Sequence, residues 1–213
     1  MGGLPKSLLR RDGEPLLLRQ IRLLRQAGAG AIAVVLGHHV DQLEPVLLKA
    51  RDERAHPGAT VSWVVNPSPD DGPGSSLRCG LAALPQDLSA VLVALGDQPL
   101  LEAGDTEAVL RAWQTRATGI ELAVPCHAGQ PGHPIAFGEA VRAAVMAGRG
   151  AAGVREWRRQ HPTSTLVLEL DHARCTTDVD TPADLTRLAA EWKVALTPPP
   201  SWTGRVGRHA QGD

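Results

Sequence analysis

The sequence predicts an α/β fold built on an open, mostly parallel sheet, and two observations carry that prediction. Short apolar runs alternate with amphipathic helical patterns through most of the chain, the signature of a layered α/β domain. One of those runs, Ala90-Val91-Leu92-Val93-Ala94-Leu95, reads as a buried strand and stops at Gly96-Asp97-Gln98-Pro99, which places a carboxylate at a strand tip. In open α/β sheets ligands gather outside the carboxyl ends of the strands.

Taken in order, Glu14 to Ala27 carries leucines at 16, 17, 18, 23 and 24 with Ile21, an amphipathic helix stopped by Gly28. Ala31 to Leu36 reads as a strand ending at Gly37. Val40 to Arg54 reads as a helix with Leu43, Val46, Leu47 and Ala50 inward, and Val61 to Val65 as the next strand. Residues 66–74, Asn-Pro-Ser-Pro-Asp-Asp-Gly-Pro-Gly, can continue neither element and form a loop, after which Ser75 or Ser76 caps a helix to about Ala83.

Beyond Asp97 the pattern gives a helix near Asp105 to Ala117, a strand near Glu121 to Val124 and a loop from Pro125 to Pro134. A short strand Ile135 to Phe137, helices near Glu139 to Ala147 and Ala151 to Gln160, and a strand Thr165 to Leu170 follow. Thr181-Pro182 opens a last helix with proline at its first turn. From about residue 194 prolines, glycines and charges mix without periodicity, so the division expected is one domain over 1–193 and a mobile tail over 194–213.

At 213 residues the chain suits one domain with a sizeable core. Lys plus Arg number 22 against 23 Asp plus Glu, a net charge of −1, so no global field favours nucleic acid or an anionic membrane, and a small-molecule substrate fits better. Cys79, Cys126 and Cys175 show no Cys-x-x-Cys spacing, which speaks against zinc and against a disulfide framework. No apolar run approaches the roughly 20 residues of a membrane span and no signal-peptide pattern is seen, so the cytoplasm is the expected compartment.

A second acidic segment, Asp178-Val179-Asp180-Thr181-Pro182, has its two Asp spaced so that both project to one face when extended. Two acidic sites near one strand edge point to a divalent cation shared with a nucleoside triphosphate, hence phosphoryl or nucleotidyl transfer. The competing structural roles are Asp97 as a turn cap before Pro99 and Asp180 as a helix cap.

Five segments in order resemble the molybdenum-cofactor nucleotidyltransferases, the cytidylyl and guanylyl transferases acting on molybdopterin, within the wider family of NTP transferases. They are Met1-Gly2-Gly3-Leu4-Pro5-Lys6-Ser7-Leu8-Leu9; Asn66-Pro67 with Gly74-Ser75-Ser76-Leu77-Arg78-Cys79-Gly80-Leu81; Gly96-Asp97-Gln98-Pro99; Gly132-His133-Pro134-Ile135; and Asp178-Val179-Asp180-Thr181-Pro182-Ala183-Asp184-Leu185. The resemblance covers roughly residues 1 to 193 and implies a Rossmann-like three-layer fold of the nucleotide-diphospho-sugar transferase type. It implies Gly2, Gly3, Lys6, Asn66, Ser75, Ser76 and Asp97 as nucleotide-binding, Lys6 and Asp97 as catalytic, Asp97 and Asp180 as Mg²⁺ ligands with Asp178 second to Asp180, and His133 as acceptor-binding. The implied reaction moves CMP from CTP to molybdopterin with loss of pyrophosphate, and a molybdoenzyme is an implied partner. The serine-rich helix start and Gly-His-Pro lean toward the cytidylyl branch.

Each residue keeps a plain alternative: Lys6 as a solvated helix-start lysine, Ser76 as an N-cap, His133 as a turn histidine, and Arg149, Arg155, Arg158 and Arg159 as a solvated helix face rather than a guide for an anionic acceptor. GTP or another base, another phosphorylated metabolite, a relative of the oxidoreductases of nicotine-derived pigments, and a non-catalytic cofactor carrier stay open. The family's opening strand and first half of its glycine loop have no counterpart before Met1. That strand is central in the family's sheet, so its neighbours are expected to have unpaired backbone groups, and a start upstream of Met1 is expected.

Overall fold

The computed structural model describes residues 5–52, 59–150 and 152–199. A 3₁₀ turn at Lys6–Leu8 leads into a small hairpin, β1 (Arg10–Arg11) and β2 (Glu14–Pro15), whose turn residues Asp12 and Gly13 both have positive φ. Asp-Gly is the strongest short hairpin signal. Because of it Glu14 and Pro15 belong to β2, and helix α1 starts later than the sequence pattern predicts, at Leu16–Gln26. Helix α1 buries Leu16, Leu17, Ile21 and Leu23.

Strand β3 (Ala31–Leu36), helix α2 (Val40–Asp52) and strand β4 (Thr60–Val65) form a parallel βαβ unit, with Leu36 opposite Val65. Helix α3 (Pro73–Ala83) then leads to β5 (Val91–Val93), shorter than the apolar run that encodes it. Helix α4 (Ala103–Gln114) is followed by β6 (Leu122–His127), β7 (Gln130–Pro131) and β8 (Ile135–Phe137). Ala128 and Gly129, both at positive φ, turn β6 back into β7, so part of the predicted 125–134 loop is a hairpin. Helices α5 (Glu139–Ala147) and α6 (Val154–Gln160), strand β9 (Thr165–Glu169), helix α7 (Pro182–Glu191) and β10 (Leu196–Thr197) complete the chain.

The α/β fold is the one expected, and its five-stranded sheet carries antiparallel pairs beside a parallel one. Strand β9 lies parallel to β6, whereas β8 runs antiparallel to both β5 and β6. The physical reason is connection length: the few residues between β6 and β8 allow only a tight reversal, whereas a parallel neighbour needs a crossover of a dozen residues or more. Alternation along these strands serves two layers. Leu122, Val124, Ile135 and Phe137 pack with α3, α5 and α6 on one face, and Ala123 and Ala136 meet Val109 and Trp113 of α4 on the other.

Among the described residues no ladder joins β3 to β5, so β3–β4 and the five-stranded β5–β8–β6–β7/β9 assembly are separate sheets. Between them runs a cleft of about 2730 Å³ whose walls include Ala31 to Leu36 and Ala90 to Leu95 along their whole length. The expected mobile tail is also corrected at its start. Leu196 and Thr197 pair antiparallel with Arg11 and Arg10, and Leu196 packs against the first core cluster, because an open hairpin edge offers both hydrogen bonds and apolar surface.

Candidate functional site

The Gly96–Pro99 turn follows β5, and its main chain holds a distant partner: Val179 N–H donates to the Asp97 carbonyl at 3.2 Å. Val179 is fully buried in the cluster that contains Leu8, Leu9 and Leu100. In an extended segment that inward Val turns Asp178 and Asp180 to the opposite side, where both are exposed. Asp180 is not a helix cap. Thr181 caps α7, its hydroxyl accepting from Asp184 N–H, while the Asp184 carboxylate accepts from the N–H groups of Asp180 and Thr181, and Pro182 occupies the first turn. Those N–H bonds hold Asp184 below the usual carboxylate range.

Lys6 Nζ donates to Asp180 Oδ1, joining residues 174 positions apart. That hydrogen bond raises the Lys6 pKa against the opposing effect of burial, and the charges of Asp180, Asp97 and Asp178 add to it. Asp97 shifts upward. Burial is the main cause, Asp178 the next, and Asp180 a smaller one, while Lys6 acts the other way. The two acidic segments therefore converge, but the ranking of partners differs from expectation: Asp178 weighs more on Asp97, and Asp180 holds the lysine. Among the described residues no three His, Cys, Asp or Glu form a ready metal cage.

Helix α3 starts at Pro73, with Gly72 as its N-cap at φ 90°, so neither Ser75 nor Ser76 caps it. Ser75 is buried and its hydroxyl is spent inside the loop, accepting from Asn66 Nδ2 at 2.8 Å and lying 2.8 Å from the Gly72 carbonyl and 3.0 Å from that of Ser68. Asn66, 3% exposed, donates to both Ser75 and Ser76 and accepts from Ser68 N–H, so its polar atoms are committed too. Ser76 keeps its own hydroxyl proton unengaged among the described residues.

Lys6, Ser76, Asp97 and His133 line the cleft, as do Arg155, Arg158 and Arg159 of α6; Asn66, Ser75 and Asp180 do not. His133 is pushed down to about 4 by burial, so at neutral pH it is an uncharged imidazole and not a cationic phosphate ligand. Its main-chain N–H donates to the Cys175 carbonyl at 2.9 Å. Burial raises the Cys175 thiol to about 12, which leaves it protonated and unreactive. Gly2 and Gly3 lie outside the described residues.

Sequence reasoning missed the pairing of buried Asp105 with the partly exposed Arg174, bonded through Arg174 Nε and Nη2 at 2.9 and 2.8 Å. Its local signal was the Glu102-Ala-Gly-Asp105 spacing of a capping box, in which Asp105 accepts from Glu102 N–H at 2.9 Å. The partner Arg174, 69 positions away, left no local signal.

A family described as the MobA-like NTP transferase domain matches residues 1–165. The chain is 36% identical over 112 residues to the bifunctional protein GlmU of Mycobacterium avium, which covers 52% of this chain and 22% of that protein. It thus spans only about a fifth of the length of such relatives. Among solved structures it is similar to Rv0371c of Mycobacterium tuberculosis H37Rv, with a TM-score of 0.67, 25% identity, and coverage of 89% of this chain and 91% of that one. A manganese complex of Rv0371c matches with a TM-score of 0.64 and 25% identity over 88% and 92% of the two chains. The 4-diphosphocytidyl-2C-methyl-D-erythritolsynthase of Anaerococcus prevotii shares the fold at TM-score 0.69, with 12% identity over 91% and 92%.

Proposed function

The chain belongs to the MobA-like NTP transferase domain family, and on that footing we propose that it transfers CMP from CTP to a molybdopterin-type phosphate, releasing pyrophosphate, with Mg²⁺ held by Asp97 and the Asp178–Asp180 segment. The observation that carries the reading is the meeting of Asp178 and Asp180 with Lys6 and Asp97, the latter two lining the cleft. Carboxylate oxygens suit a hard cation, and the upward shift of Asp97 beside two other acidic residues is a cost that a divalent ion relieves. The scarcity of protein ligands suits Mg²⁺, which fills its remaining positions from phosphates and water. A relative in the same family fold is known as a manganese complex.

When bound, the ion offsets negative charge on the triphosphate and on the departing pyrophosphate. Lys6, released from Asp180, brings a compact mobile ammonium to the same phosphates. Ser76 offers a hydroxyl to the base, while Asn66 and Ser75 fix the loop that presents it. Neutral His133 hydrogen-bonds the acceptor without contributing charge. The protein's work is positioning and charge stabilisation, with no covalent intermediate.

The choice of CTP and of molybdopterin rests on the motif resemblance, with the Ser76 hydroxyl as the one structural support. Pyrophosphate release is measured with CTP or GTP, molybdopterin and Mg²⁺. Release with CTP above that with GTP is the expected result. Release from neither nucleotide overturns the proposal, and release with CTP only when another phosphorylated acceptor replaces molybdopterin overturns the acceptor.

A further inference from the structure

We propose that Gln98 is the positioning residue that sets the Asp97 carboxylate against the Asp178–Asp180 segment, acting through the main-chain carbonyl of Cys175. This rests on the reading of those carboxylates as metal ligands. Gln98 is 2% exposed and forms no part of the cleft wall. Its Nε2 donates to the Cys175 carbonyl at 2.7 Å, and its main-chain carbonyl accepts from Gln20 Nε2 of α1 at 2.8 Å.

The Cys175 carbonyl is a meeting point. It also accepts His133 N–H at 2.9 Å, and a Cβ on Gly132 would stand 2.2 Å from it, so only glycine lets that loop approach so closely. Segments 96–99, 132–134 and 174–180, remote in sequence, therefore share one acceptor. Four residues after Cys175, Val179 N–H returns to the Asp97 carbonyl. The acidic segment is thus tied to the Asp97 turn at two points, Gln98 to Cys175 and Asp97 to Val179. Losing the first leaves a single hydrogen bond at 3.2 Å to keep the register.

Only half of the Gln98 amide is used among the described residues. Its Oε1 is buried with no hydrogen-bond partner among the described residues, an arrangement that an apolar side chain of equal size would relieve. The donated bond holds the Asp97 turn, and loss of such supports behind metal ligands typically weakens metal affinity roughly 10- to 100-fold.

The experiment compares Mn²⁺ binding by electron paramagnetic resonance, without nucleotide, in the full chain and in Gln98→Leu, Gln98→Met, Gln98→Glu and Asp97→Asn. Gln98→Leu and Gln98→Met are expected to melt within a few degrees of the parent yet to bind Mn²⁺ roughly tenfold more weakly. Under turnover they are expected to lose kcat with little change in the nucleotide KM. Parent-like Mn²⁺ affinity in the folded Gln98 variants, with Asp97→Asn weakened, overturns the role of Gln98 alone. Parent-like affinity in Asp97→Asn overturns the metal reading and this role with it. Failure of all three Gln98 variants to fold marks the amide as structural and also overturns the proposal.

Discussion

Two acidic clusters sit on either side of the same turn and are treated in opposite ways. Asp97, Asp178 and Asp180 share one cation, Lys6, whose pair with Asp180 is 31% and 60% exposed on its two sides. Asp105 and Glu102, a few residues on, are met by three guanidiniums: Arg174 at 2.8 Å from Asp105, and Arg19 and Arg11 at 2.8 and 2.9 Å from Glu102. Asp105 is 2% exposed. Of these carboxylates Asp105 is the buried one, and it is held by a bidentate guanidinium, since an unpaired carboxylate would not survive there. Asp97, Asp178 and Asp180 are left short of positive charge, the arrangement expected where a ligand supplies it.

The sharpest test of that difference is Asp97→Asn. Pyrophosphate release is expected to fall at least roughly a hundredfold, the scale of losing metal-borne charge stabilisation worth several kcal/mol. Stability is expected to hold or rise. Because Asp97 is raised above its ordinary value, the folded chain keeps that proton more tightly than the unfolded one, so stability drops as pH climbs through the shifted range and the ionised group is a cost at pH 7. A lower melting temperature for Asp97→Asn at pH 7 would break the comparison from the catalytic side.

Arg174→Ala tests the other side. It leaves Asp105 buried without its bidentate partner and is expected to cost about 3 kcal/mol in urea unfolding. Lys6→Ala makes the counterpart: an exposed pair is worth about 1 kcal/mol or less to folding, yet turnover is expected to collapse.

His133 sharpens the comparison through pH. Its folded value of about 4 lies below the ordinary 6.5, so between these the unfolded chain binds more protons. Its contribution is complete above pH 6.5, declines as pH falls, and is gone below about 4. A melting series is expected to show that decline, flattened in His133→Gln. The smallest effect expected is that of Thr181→Ala, about 1 kcal/mol from loss of the α7 cap, with activity falling only if the cap also holds Asp180 in place.

Much of the layout was readable from local pattern. The β3–α2–β4 unit, the Ile135–Phe137 strand and the proline-led α7 are signalled by periodicity and turn residues within a few positions of themselves. The Asp12-Gly13 hairpin is an equally local signal, and it moves the start of α1 from the expected Glu14 to Leu16. The antiparallel β8 and the pairing of β10 with β1 could not be read that way, because each depends on which edge a distant segment finds.

By itself the sequence determined the alternation of strands and helices and the presence of acidic residues at two turns, because hydrophobic period, proline and glycine act over a handful of bonds. Only the tertiary structure decided how those residues are used: that Asn66 and Ser75 are spent on each other, that Asp178 presses on Asp97 while Asp180 takes Lys6, and that His133 is neutral. Those outcomes come from desolvation and from contacts spanning up to 174 positions, neither of which leaves a periodic trace along the chain.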